Sequence, residues 1–202
     1  MTGITVGSII TLGRYEQSDT SARTPIEWIV LDIDGQNATL ISKYSPEVMA
    51  YNDERVNLTW GNCSLRAGLN GAFLESAFTL EEQARILTTR VTTPIMDPVT
   101  GEEHPGETLD KVYLLSDDEA ERYFASDEER KCLPTGKAFS DNKRYWGRVF
   151  DMPAECHWWL RSPGDSADCA AAVIDNGDIL YEGWHVDSDE VAVRPVITLR
   201  LS

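Results

Sequence analysis

Basic residues are scarce in this chain. Its 202 residues carry 18 Lys and Arg against 34 Asp and Glu, a formal net charge of −16. Binding to nucleic acid needs a cationic footprint that displaces counterions from phosphates, so no nucleic-acid partner is expected, and no anionic membrane. The acid surplus serves solubility through self-repulsion. A sharper reading gives the acid-rich stretch Asp97 to Glu107, with His104, a divalent ion. No apolar run approaches the roughly 20 residues of a spanning helix. The opening MTGITVGSIITLG lacks the basic start of a signal peptide. The expected location is cytoplasmic as written, or extracellular if an export segment has been removed.

Catalytic signatures are missing too. There is no phosphate-binding loop, dinucleotide fingerprint, HExxH zinc motif or EF-hand loop. Ser162 stands in R-S-P-G rather than in a G-x-S-x-G elbow. Cysteine occurs four times, at 63, 132, 156 and 169, without a CxxC pair. Buried free thiols are the expectation for a domain of this size. Cys63 precedes a helical pattern whose dipole could lower its pKa, but its apolar neighbours favour burial. Cys156, His157, Cys169 and His185 can be imagined around zinc, yet their spacing matches no finger pattern. No metal and no cofactor is expected.

What is present is patterned at both ends as β-structure. Gly7 to Tyr15 is apolar and β-branched, with Gly13 bending its end. Ile26 to Ile33, the turn signal Asp34-Gly35 and Ala38 to Ser42 make a hairpin. The middle is helical. Leu65, Leu69 and Phe73 share one helix face. Thr79 with Glu82, and Ser116 with Glu119, are capping boxes that start helices running to about Thr88 and Phe124. Thr93 to Leu109, rich in Pro, Gly and acid, reads as a long loop. Lys111 to Leu115 reads as a short buried strand. Ser126 to Glu155 reads as irregular surface. Ala170 to Asp175 and Asp178 to Glu182 flank Asn176-Gly177, a type I′ turn signal. Val191 to Leu201 alternates strictly, and Pro195 within it marks a sheet edge or a strand end. The β–α–loop–β order predicts an α+β class: a single domain over 1–202, antiparallel sheets, two or three short helices, and terminal strands paired in one sheet.

The densest segment is Cys156 to Pro195. On a strand, Trp158 and Trp159 face opposite sides, so one is expected in the core and the other either in the core as well or on a ligand as an aromatic platform. Arg161 and Arg194 stand beside prolines, where a guanidinium fork can clamp a carboxylate or pair with an internal acid. Tyr181, Trp184 and His185 cluster with Asp187, Asp189 and Glu190, the residue types of an exposed recognition loop or of an ordinary polar turn.

The ordered phrases ITLGRYEQ, PIEWIVLDI, TWGNCSLRAGLN, FTLEEQARI, DKVYLLSDDEAERYF, CLPTGKA, WWLRSPG and VRPV resemble the bacterial domain-of-unknown-function family 6273, over roughly Ile4 to Leu201. That resemblance implies an architecture and no reaction. The pattern is also similar to the C-type lectin-like fold, which implies paired termini and a Trp-rich strand near the ligand surface. The Glu-Pro-Asn sugar signature of such lectins is absent. The expected function is non-catalytic recognition of a carbohydrate or protein ligand through Trp158, Trp159, Arg161, Tyr181, Trp184, His185 and Arg194. The alternatives are an enzyme using His or Cys in the same cleft, and a structural module of a bacterial surface protein.

Overall fold

The chain opens with an antiparallel meander of β1 (Ile9–Glu16), β2 (Arg23–Asp34) and β3 (Asn37–Ser42), closed between the last two at Gly35-Gln36. The computed structural model describes residues 3–96, 103–142 and 154–201. After β4 (Glu47–Val48) comes a helical run: α1 (Ser64–Gly68), a π turn (Leu69–Phe73), α2 (Leu74–Ala77) and α3 (Leu80–Arg85). Then follow β5 (Thr89–Met96), β6 (Glu103–Asp110), β7 (Val112–Tyr113), α4 (Asp117–Tyr123), α5 (Asp127–Arg130) and α6 (Gly136–Asp141). The chain finishes in β8 (Trp158–Pro163), β9 (Cys169–Val173), β10 (Ile179–His185), β11 (Ala192–Val193) and β12 (Val196–Arg200). The class is α+β in a single domain. No described helix is long and apolar enough to cross a membrane.

Two five-stranded sheets share strands from both ends of the chain. One has the order β1-β2-β3-β12-β7, the other β10-β9-β8-β11-β4. The terminal strands thus lie in one sheet, but β12 pairs with β3 and β7 rather than with β1. The final alternating run serves both sheets. Ala192–Val193 pairs in the second, Val196–Arg200 in the first, and Arg194-Pro195 makes the switch. Proline has no N–H to offer a ladder, so it suits this break. Its carbonyl accepts from the Ser42 N–H at 2.9 Å.

The capping boxes form as their chemistry requires. Thr79 and Glu82 exchange bonds at the start of α3, and the second Glu82 oxygen accepts the Gly13 N–H at 3.0 Å, fastening α3 to β1. Gly13 has φ +70, and a Cβ there would lie 2.7 Å from the Ala77 carbonyl and the Phe78 ring, so glycine is required for this close approach. Leu65, Leu69 and Phe73 are buried together on one face.

Three expectations need correction. The stretch read as a long loop is the β5–β6 hairpin, paired from Thr89↔Asp110 to Met96↔Glu103. Its Pro94 and Pro105 sit opposite each other on a two-stranded ribbon, where both strands are edges and tolerate proline. Helices exceed the two or three expected, because the polar segment after Ser126 contains α5 and α6. The turn at Asn176-Gly177 is not type I′. Among the described residues only glycines have positive φ; Gly177 does (φ 93), and its N–H bonds to the Ile174 carbonyl at 2.9 Å. That is a type I turn closed by a left-handed glycine. Residues 97–102 of the acid-rich stretch, and 143–153 of the segment read as irregular, lie outside the described residues.

Candidate ligand-binding site

The second sheet's central strand carries the tryptophan–arginine motif, and it is covered on both faces. Trp158 and Trp159 are each 0 % exposed. Trp158 donates its indole N–H to the Arg130 carbonyl at 3.0 Å, and Trp159 donates to the Met49 carbonyl at 2.9 Å. Opposite directions therefore lead to two interiors: Trp159 meets Tyr51 edge-on at 5.5 Å, while Trp158 lies under Arg194. Neither indole is open to an outside molecule, so the core reading holds for both and their assignment as ligand-binding residues is corrected.

Arg194 is 1 % exposed. Its guanidinium lies between the Phe124 and Trp158 rings, 5.3 and 5.1 Å from their centroids, and donates to the carbonyls of Ser42 and Arg130. Ring faces and carbonyl dipoles replace the water this cation has lost. Near it sit Cys132 and Cys156, both buried. Burial pushes both thiols up, but in Cys132 the Cys156 hydrogen bond and the Arg194 charge outweigh it and bring the thiol below its ordinary value. Cys156, whose partner is a thiol readier to ionise, stays well above its ordinary value. Arg194 is thus an internal strut and contributes no ligand contact.

Arg161 is 3 % exposed and fully engaged. Nε donates to Thr93 Oγ1 at 3.2 Å, Nη1 to the Leu114 carbonyl and a Glu119 oxygen, and Nη2 to the Thr92 carbonyl and the other Glu119 oxygen. All five guanidinium N–H groups have acceptors. Glu119 also accepts the Ser116 N–H in the α4 capping box, so the helix start and the arginine share one carboxylate.

On the outer side of that pair lies a cleft of about 550 Å³, between the β5–β6 hairpin and the first turn of α4. Arg161 and Glu119 form its back wall; Arg90, His104, Asp117, Asp118 and Arg122 line its sides. Arg90 pairs with Glu107, and Asp117 accepts the Ser162 hydroxyl at 2.7 Å. The lining is close to charge-balanced in a chain of net charge −16. Clefts of about 500 and 530 Å³ border β1, but no residue of the tryptophan–arginine motif reaches them.

The remaining predicted residues lie on β10, an edge strand. Tyr181 is 49 % exposed and donates its hydroxyl to Glu121 of α4; that bond, ahead of slight burial, pushes the phenol up to about 12. Trp184 is half-buried, 5.2 Å from the His157 ring, and its indole N–H is buried without a partner among the described residues. His185 is exposed, with Nδ1 3.3 Å from Cys169 Sγ. The four residues imagined around zinc are thereby dispersed: Cys156 faces Cys132, His157 faces Trp184, and only Cys169 and His185 meet. Cys63 caps α1 as a buried thiol, which burial pushes up to about 12.

His157 accepts the Asp175 N–H at Nδ1, and burial lowers its pKa below 6.5. The unfolded chain therefore takes up a proton before the folded one does. Its contribution to stability is level above pH 6.5 and is lost as pH falls from 6.5 to the folded-state value. The urea midpoint should drop between about pH 7 and about pH 5, and His157→Asn should reduce that drop. Equal drops in both proteins would show that His157 titrates alike folded and unfolded.

Together these observations define an α+β domain with a polar, charge-balanced cleft beside α4 and a sealed tryptophan–arginine strand behind it. The chain belongs to the family described as domain of unknown function (DUF6273), whose sequence model matches residues 35–201. No curated protein and no solved structure matches it.

Proposed function

We propose that the protein is a non-catalytic recognition module, and that its ligand enters the cleft between the β5–β6 hairpin and α4. The carrying observation is that open cleft, whose rear Arg161–Glu119 pair is already satisfied while Arg122, Asp118 and His104 line its sides. Near-balanced charge favours a ligand that is neutral and hydroxyl-rich, or carries both signs, over a polyanion or a polycation. A carbohydrate or a protein segment meets that description. Tyr181, tethered to α4 through Glu121, extends the surface with an exposed ring. The reading keeps the expected recognition role and moves its centre from the buried indoles to the α4 cleft. A C-type lectin-like arrangement of that surface is part of the same proposal.

The test is a glycan array and a peptide array probed with the wild-type protein and with Arg122→Ala/Asp118→Ala. Each truncation falls in the open cleft, so the thermal midpoint should stay near wild type while binding to the array hit weakens by about tenfold or more, the loss of one or two charge-assisted bonds. Hits that survive this variant unchanged would place recognition elsewhere.

A further inference from the structure

We propose that Asp168, Cys169 and His185 form a binding site for one divalent transition-metal ion of the zinc type, with its fourth position open to solvent. The three side chains each offer one donor atom, and these atoms lie within 4.8 Å of one another. Cys169 Sγ is 3.3 Å from His185 Nδ1, Nδ1 is 3.8 Å from Asp168 Oδ2, and Sγ is 3.9 Å from Asp168 Oδ1. Tetrahedral zinc, with bonds of about 2.3 Å to sulfur and about 2.0–2.2 Å to nitrogen and oxygen, separates its donors by roughly 3.4–3.6 Å. The Cys169–His185 edge is within a few tenths of an ångström of that spacing, and a single Asp168 oxygen, within 4.8 Å of both atoms, closes in by up to about an ångström on binding.

The backbone holds these groups in place. Cys169 and His185 are cross-strand partners on β9 and β10, and such pairs bring side chains face to face. The register shift between Leu180 and Trp184 is what sets His185, rather than a neighbour, opposite Cys169. Asp168 precedes β9, with its carbonyl held by the Val186 N–H at 3.0 Å. Its carboxylate is oriented by the Ser166 hydroxyl at 2.6 Å and by Arg55 Nε at 2.7 Å. A carboxylate ligand fixed by outer hydrogen bonds is the usual support of a metal site.

The donor set selects the ion. One sulfur, one imidazole and one carboxylate suit zinc, cobalt or nickel; calcium and magnesium prefer all-oxygen cages. His185 is exposed and Asp168 and Cys169 are partly so, which leaves an approach from solvent. On binding, the metal–Sγ bond forms as the Sγ–H bond breaks. The proton passes to buffer, His185 binds through an unprotonated Nδ1, and no electron is transferred.

The experiment uses the whole chain, stripped with chelator and titrated calorimetrically with Zn²⁺, and separately with Co²⁺ under an absorbance readout. One equivalent should bind, and Co²⁺ should show a thiolate charge-transfer band. Cys169→Ser should abolish the band. Cys169→Ser and His185→Gln should each weaken Zn²⁺ by more than the roughly 10–100-fold that loss of an outer partner costs. In the wild type, Zn²⁺ should slow alkylation of Cys169, located by peptide mapping. Absence of saturable binding, a band that survives Cys169→Ser, or alkylation unaffected by Zn²⁺ would each overturn the assignment. None of these readouts depends on the α4 cleft, so the two proposals succeed or fail separately.

Discussion

Replacing Arg161 by leucine should destabilise the fold by about 3 kcal/mol, the low end of the cost of breaking a buried ion pair, because the stranded Glu119 carboxylate is 25 % exposed to the cleft. The guanidinium is 3 % exposed and bridges four segments: β5 through Thr92 and Thr93, the end of β7 through Leu114, α4 through Glu119, and its own strand β8. Leucine leaves two carbonyls unpaired and Glu119 without its counter-charge. Neutralising that carboxylate as well, in Arg161→Leu/Glu119→Gln, should recover part of the loss, since no ion then remains uncompensated. Urea denaturation of the three proteins gives both numbers. A loss below about 1 kcal/mol for the single variant would mean that water satisfies the abandoned groups.

Trp158→Ala should cost a similar amount, about 3–5 kcal/mol, for a different reason. The ring is 0 % exposed and flanks the Arg194 guanidinium at 5.1 Å. Truncation opens a cavity and strips a buried cation of one of its two aromatic faces. Trp158→Phe keeps a face and most of the volume, so it should lose less, with the indole bond to the Arg130 carbonyl as its main deficit. If alanine and phenylalanine cost the same, packing and the cation contact contribute little, and the indole hydrogen bond accounts for the loss.

Much of the local structure was legible in the residues themselves. The β2–β3 hairpin announces its turn at Asp34-Gly35, and Thr79 and Ser116 announce the helices they cap. These signals are legible because donor and acceptor lie a few residues apart. The β5–β6 hairpin was hidden because its prolines and glycine, which elsewhere end strands, are tolerated on a ribbon that is all edge. The direction of the tryptophans was hidden for a related reason. Alternation says that Trp158 and Trp159 point apart, but it cannot say that both directions end in protein. The cleft carries no local signature at all, because Arg90, Asp118, Arg122 and Arg161 are joined only by tertiary structure. Cys169 and His185 are sixteen positions apart, and their meeting depends on an irregularity in β10 that no pattern of residue types foretells.

The place of β12 has a consequence for how the molecule is made. Val196–Arg200 lies inside the first sheet, between β3 and β7, rather than at its rim. Until those five residues leave the ribosome, β3 exposes an unpaired edge and β7 has no neighbour in that sheet. The nascent chain must therefore wait for β12 before this sheet can close, and during that delay it is open to strand-by-strand association with other copies.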